Sequence, residues 1–177
     1  DEIELEGGIT QFTSPAIFTL NGVPVITNAN TVFEGGQAGD LVLGVEAEVE
    51  GSLANGILTA TGVKFRNNVT IEGNAATVSP GGATPNLTIS GHPGVTVFVN
   101  AQTKFKGGIS SLGQLAAGDH VRIDGRPAGT NTVIAEEVEK RSPDTRVILQ
   151  GPVQSVANPL VTILGVVIDT SPIADGD

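Results

Sequence analysis

An all-β protein made of tandem small barrels is predicted by three features of the chain. The segment Val23–Gly36, VPVITNANTVFEGG, recurs without a gap 72 residues later as Val95–Gly108, VTVFVNAQTKFKGG. Self-similarity at a fixed distance is the mark of a repeat architecture. Apolar and polar residues alternate in short runs, and no window sustains the three-and-four spacing of an amphipathic helix. The apolar stock is Val, Ile, Leu and Ala with six Phe and no Trp, Tyr, Met or Cys, alongside 24 Gly. Branched aliphatics among Gly, Asn and Thr favour short strands and tight turns. A flat sheet of such strands would leave its edges and one apolar face open, and closing it into an OB-like barrel removes both problems. A small open sandwich is the alternative.

In the first repeat, Ile3-Glu4-Leu5-Glu6-Gly7 alternates as a half-buried strand requires. Ile17–Leu20 is a second strand, and Asn21-Gly22 is a strong hairpin signal. Val23–Thr27 continues as a strand with Pro24 at an edge or bulge, because proline cannot donate to a ladder. After Gly35-Gly36, the run Leu41–Gly51 places Val45, Ala47 and Val49 on one face and Glu46, Glu48 and Glu50 on the other. Asn55-Gly56 turns the chain, and Ile57–Phe65 returns as the last strand.

The second repeat follows in the same order. Leu5-Glu6-Gly7 matches Ile71-Glu72-Gly73 at an offset of 66, Phe18–Gly22 matches Leu87–Gly91 at 69, and Leu41–Gly51 matches Leu115–Gly125 at 74. The offset grows at Ser79–Pro85, His92–Gly94 and Gly108–Gln114, as loop insertions between strands of fixed length would make it grow. Ser111–Ala116 is the expected place for a short helical turn. A third copy starts and stops: Leu149-Gln150-Gly151 matches Leu5-Glu6-Gly7 at 144, Val161–Gly165 matches Phe18–Gly22 at 143, and Val166–Thr170 is the next strand. The polar linker Lys140–Arg146 supports boundaries at 1–68, 69–142 and 143–177, with the third part packing on the second or completing with another chain.

The segments Asn100–Phe105, Gly118–Gly125 and Ala135–Val138 carry an Asn-x-x-Thr-x-Phe, Gly-Asp-x-Val-x-Ile-x-Gly and Ala-x-x-Val pattern. In these the chain resembles a bacterial family of unknown function found in exported proteins and lipoproteins. The first copy departs from the pattern with Val45 after Gly44. The resemblance implies tandem OB-like modules and an exported setting in the periplasm, at the cell surface or outside the cell. It brings no catalytic residue with it.

Charge and site chemistry narrow the function further. A formal charge of −10 argues against nucleic acid or anionic membrane as partner, since phosphate binding needs clustered Lys and Arg. No run is long and apolar enough to cross a bilayer. The chain opens at Asp1, which fits a processed exported protein. Asn28/Asn100 and Thr31/Thr103 recur and read as turn chemistry, with a polar binding pair as the rival reading. Phe33 and Phe105 are expected to plug the two barrels. The rows Glu2/Glu4/Glu6 and Glu46/Glu48/Glu50 read as solvated faces, because i and i+2 on a strand stand about 7 Å apart, too far for compact Ca²⁺ coordination. Asp175-Gly-Asp177 reads as a frayed acidic terminus.

His92, in a His-Pro-Gly turn, and His120, read as a surface histidine, make no metal spacing and no triad. The expectation is therefore no catalytic, cofactor or metal site, and no enzyme. The favoured function is a structural assembly module that self-associates head-to-tail or by strand exchange. Its strands would be those bearing Ile3, Leu5, Val147, Leu149, Val161 and Ile163. The alternative is a module binding a glycan, peptide or cation through the loops Ser79–Pro85 and Gly108–Gln114.

Overall fold

The alternating runs become strands in the computed structural model, which describes residues 1–173. Among these residues there are sixteen strands, three single 3₁₀ turns and no α-helix. The chain divides into two units, Asp1–Asn67 and Asn68 onward.

In the first unit, β1 (Glu2–Ser14), β2 (Ile17–Leu20) and β3 (Val23–Ile26) form a meander. Strand β4 (Val32–Glu34) follows, then the hairpin of β5 (Glu46–Ala54) and β6 (Ile57–Arg66). The long β1 serves two partners: Glu2–Gly8 pairs with β5, and Ile9–Ser14 pairs with β2. Parallel pairing of Val25 with Leu58 and Ile26 with Thr59 joins β3 to β6 and closes a five-stranded ring, β1-β2-β3-β6-β5. Pro24 stands just before that parallel contact, where its missing N–H costs no ladder bond to β6. Asn21-Gly22 and Asn55-Gly56 have positive φ at both positions, as a two-residue hairpin turn of matching twist demands. Val45, Ala47 and Val49 are fully buried with Leu20, Val25 and Leu58.

The second unit rebuilds the ring from β7 (Val69–Ser79), β8 (Asn86–Ile89), β9 (Thr96–Phe98), β11 (His120–Gly129) and β12 (Thr132–Lys140), closed by parallel β9–β12 pairing. Strand β10 (Lys104–Lys106) lies outside the ring on β12, as β4 does on β6. The core again consists of inward residues, among them Ile71, Leu87, Val97, Val121, Ile123 and Val133. Both hairpins carry a bulge at the same place, between Glu50 and Gly51 and between Asp124 and Gly125. A Cβ at Gly51 would lie 2.1 Å from the Thr59 carbonyl oxygen, and one at Gly125 would lie 2.2 Å from that of Ile134. Only glycine lets the two backbones approach so closely.

The third copy belongs to the second unit. Strand β13 (Ile148–Gln150) adds to the edge of β7 that β8 leaves free, pairing Leu149 with Ile71. Strands β14 (Val153–Ala157), β15 (Leu160–Ile163) and β16 (Val166–Asp169) form a separate three-stranded sheet. Leu164, at its β15–β16 turn, is buried in the second core, and Ile163 and Val166 pack against it.

Some expectations change. Phe33 and Phe105 lie on β4 and β10, flanking strands outside the five-stranded rings, and pack half-buried against the cores. The expected helical turn is a 3₁₀ turn at Leu112–Gln114. An equivalent at Ala38–Asp40, where the Asp40 carboxylate accepts the Gln37 N–H, was missed because a single turn leaves no periodic signal. Asp175–Asp177 lie outside the described residues.

Candidate functional site

The side chains of Thr70, Glu72 and Asn74 on β7 and of His120, Arg122 and Asp124 on β11 lie on the face away from the second core, and a half-solvated barrel would expose them. Here the opposite happens. Glu72, in register with Arg122 on β11 and Ile148 on β13, is 1% exposed, and His120 is 3% exposed. Strand β13 occupies the free edge of β7, and the preceding linker brings Asp144 and Arg146 to the same place. The reading of His120 as a surface histidine is thus wrong: the polar face it sits on is covered by the third copy.

Glu72 collects positive and polar groups from every side. His120 Nε2 is 3.3 Å from its Oε1, Arg146 Nη2 is 3.4 Å from the same oxygen, and Arg122 Nη1 is 3.6 Å from Oε2. On its other side the His120 ring places Nδ1 2.8 Å from Asn74 Oδ1. Arg122 also donates from Nε to Asp124 Oδ2 at 3.2 Å, and this bond, ahead of its charge attraction, holds the guanidinium pKa above its ordinary value. Asp124 Oδ1 in turn accepts from the Thr70 hydroxyl at 2.6 Å. Arg146 Nη2 bonds Asp144 Oδ2 at 3.1 Å. The backbone N–H groups of Thr145 and Arg146 donate to Asp144 and hold its carboxyl below the usual carboxylate value.

His92, 3% exposed, packs behind the cluster with Nε2 3.3 Å from the Glu72 carbonyl oxygen. Burial lowers its pKa, partly offset by bonds to the backbone of Glu72 and Ile148. Ligand atoms of Glu72, His120 and Asp144 all lie within 4.8 Å of one another.

The equivalent face of the first barrel is different. Glu4, Glu48 and Glu50 bring carboxylate oxygens within 4.8 Å of one another. Reasoning along one strand missed this, because the convergence runs across strands, with Glu4 directly opposite Glu50. Arg66 pairs with Glu48 and, at 3.6 Å, with Glu6.

The recurring Asn and Thr are tied to backbone in both copies. Thr31 Oγ1 donates to the Ala60 carbonyl at 2.8 Å and accepts the Asn28 N–H at 3.0 Å. Thr103 does the same with Ala135 at 2.7 Å and Asn100 at 2.9 Å. Among the assembly positions, Ile3 and Leu5 pack half-buried on the first core, and Leu149 and Ile163 pack on the second. Val161 is half-buried on β15, and Val147 is exposed. Sequence reasoning did not single out Glu72, Asn74, Arg122, Asp144 or Arg146. For Asn74 and Arg122 the available signal was their divergence from Gly8 and Glu48 in the otherwise matching first copy; Glu72 repeats Glu6 and carried none.

Fold and site together define a protein of tandem closed β-barrels with a third, three-stranded copy docked on the second. A family described as a domain of unknown function, DUF5666, matches residues 6–64 and again residues 70–139, one stretch per barrel, and the chain belongs to it. No curated protein matches the chain. No helix among the described residues is long and apolar enough to cross a membrane.

Proposed function

We propose that the chain is a non-enzymatic assembly module of the cell envelope or extracellular space, self-associating through its third sheet. One observation carries this reading. Register places Val153, Val156, Val161, Ile163, Val166 and Ile168 on a single face of β14–β16. Their counterparts in the first repeat are Ile9, Phe12, Phe18, Leu20, Val23 and Val25, and even the bulge agrees, between Ile9 and Gln11 and between Val153 and Ser155. In the first barrel β5 and β6 close over that face. In the third copy Val153 and Val156 stay 56% and 70% exposed, and among the described residues nothing pairs with the outer edges of β14 and β16. An apolar face between two open edges is a template for strand addition.

Strands running 1-2-3, a parallel closure and a return hairpin support an OB-like description of each barrel. The exported setting draws its support from the resemblance in the repeat motifs. Cell fractionation of the source organism would test it.

Light scattering over a wide concentration range, with negative-stain microscopy, tests assembly. Association that the double variant Val153→Lys, Val156→Lys abolishes is the expected outcome. A strict monomer at every concentration overturns the reading.

A further inference from the structure

One edge of the first strand is open in the first barrel and filled in the second. Asp1 and Ile9 bond toward β5, Asp1 through the Leu53 N–H and Ile9 through the Val45 carbonyl. By strand alternation Glu4 and Glu6 turn their backbone N–H and C=O groups the other way. Among the described residues no strand pairs with that side of residues 2–8. In the second barrel β13 lies antiparallel on the matching edge, at Thr70–Glu72.

Coverage differs accordingly at matched positions. Val69 and Ile71 are buried and Glu72 is 1% exposed, whereas Ile3 and Leu5 are half-buried and the Glu6 side chain is 51% exposed. A Cβ at Gly91 would meet Val147 at 3.0 Å, and one at its counterpart Gly22 would meet nothing within 4 Å. Asn21 Nδ2 donates to the Glu6 carbonyl at 3.1 Å on the open edge. That bond leaves room for a strand, since His92 Nε2 stands 3.3 Å from the Glu72 carbonyl with β13 in place.

Charge selects the strand that fits this edge. A second β1 laid on it would set glutamates against glutamates, which is unfavourable. Among the other open edges of the described residues, β4 carries Glu34 and β16 carries Asp169. The lysines of β10 are already paired with Glu136 and Glu137, and β13 is half-buried on β7. Strand β14 has no charged residue, and all five of its residues are exposed. Laid antiparallel with Val156 opposite Leu5, it brings Ser155 opposite Glu6 and Ala157 opposite Glu4. Neutral side chains then meet both carboxylates, and Val156 extends the apolar row of Ile3 and Leu5.

We propose that β14 of one molecule adds to the open edge of β1 in a second copy of this chain, with Val156 against Leu5. Resting on the assembly reading, this gives the third sheet its partner surface. Donor and acceptor are different parts of the chain, so the contact is heterologous and propagates into a filament unless its rotation closes a ring.

The chain has no cysteine, so single cysteines report the contact. Glu6→Cys and Ser155→Cys fall opposite each other in this register, where the Cα atoms of a bonded antiparallel pair stand about 5.5 Å apart, within disulfide reach. Mixed under mild oxidation, the two variants are expected to link to each other about ten times faster than either links to itself. Glu4→Pro, at an exposed position, removes a donor from the open edge and is expected to lower association about tenfold in light scattering. Self-linking of Ser155→Cys as fast as the mixed pair, or undiminished association of Glu4→Pro, overturns this contact and leaves the assembly reading standing. A wild-type chain that stays monomeric at every concentration overturns both.

Discussion

On the outer face of the first barrel, Glu4 and Glu6 of β1 stand beside Glu46, Glu48 and Glu50 of β5, with Arg66 reaching in from β6. The same positions of the second barrel hold Thr70 and Glu72, then His120, Arg122 and Asp124. Inside, the two barrels keep one plan: closure by a parallel strand pair, a glycine bulge in the last hairpin, and a threonine tying the turn before the flanking strand. Divergence is concentrated on the outer face, and its cause is coverage. Glu4 and Glu50 of the first barrel are exposed to water, where like charges are cheap, and Glu48, 15% exposed, is paired with Arg66. The second barrel's Glu72 lies under β13 and its linker, where an unpaired carboxylate would be costly, and its neighbours supply positive and polar partners.

The largest expected effect breaks what the copies share. Gly51→Ala and Gly125→Ala each push a methyl into a backbone carbonyl that cannot move without opening the hairpin. Each is expected to destabilise its own unit by about 4 kcal/mol or more. The chain has no Trp or Tyr, so the measurement is calorimetry with hydrogen exchange resolved by unit. Loss of both units from one substitution would contradict their description as separate units.

The next test sharpens the difference. Glu72→Gln leaves Arg122, Arg146 and His120 facing an amide, and the second unit is expected to lose about 2 kcal/mol, less than a fully buried pair because both arginines reach solvent. Glu6→Gln, at a side chain 51% exposed, is expected to change the first unit by about 0.5 kcal/mol or less. Thermal midpoints of the two variants side by side check this. Equal shifts would mean that coverage by the third copy does not set the cost.

Much of the fold was legible because inward residues repeat: Val23–Gly36 and Val95–Gly108 show the duplication, and alternation shows the strands. Ring closure was legible only as a need, since β3–β6 pairing joins segments far apart in the chain. The polar cluster was not legible. Alternation places Glu72 and His120 outside the barrel, which is true, and says nothing of a later segment folding back over them. Asp144 and Arg146 sit in a stretch that reads as a polar linker, and only the pairing of Leu149 with Ile71 brings them to Glu72. The acidic convergence of Glu4 with Glu48 and Glu50 failed for a related reason: register between strands cannot be read from spacing along one.

The smallest effect returns to the shared skeleton. Thr31→Val and Thr103→Val keep side-chain volume and remove one hydroxyl that both donates and accepts. The Ala60 or Ala135 carbonyl then loses its donor, and the Asn28 or Asn100 N–H loses its acceptor. Both threonines are 9% exposed, so water replaces these bonds poorly. Each variant is expected to cost its own unit about 1–2 kcal/mol. Because the bond lengths in the two copies agree to within 0.1 Å, the two costs should match closely. Hydrogen exchange of the Ala60 and Ala135 regions in the paired variants measures the match. A marked inequality would show that the β13 clasp supports the second barrel's turn as well as its outer face, and the comparison would then have to extend from the charged surface into the skeleton itself.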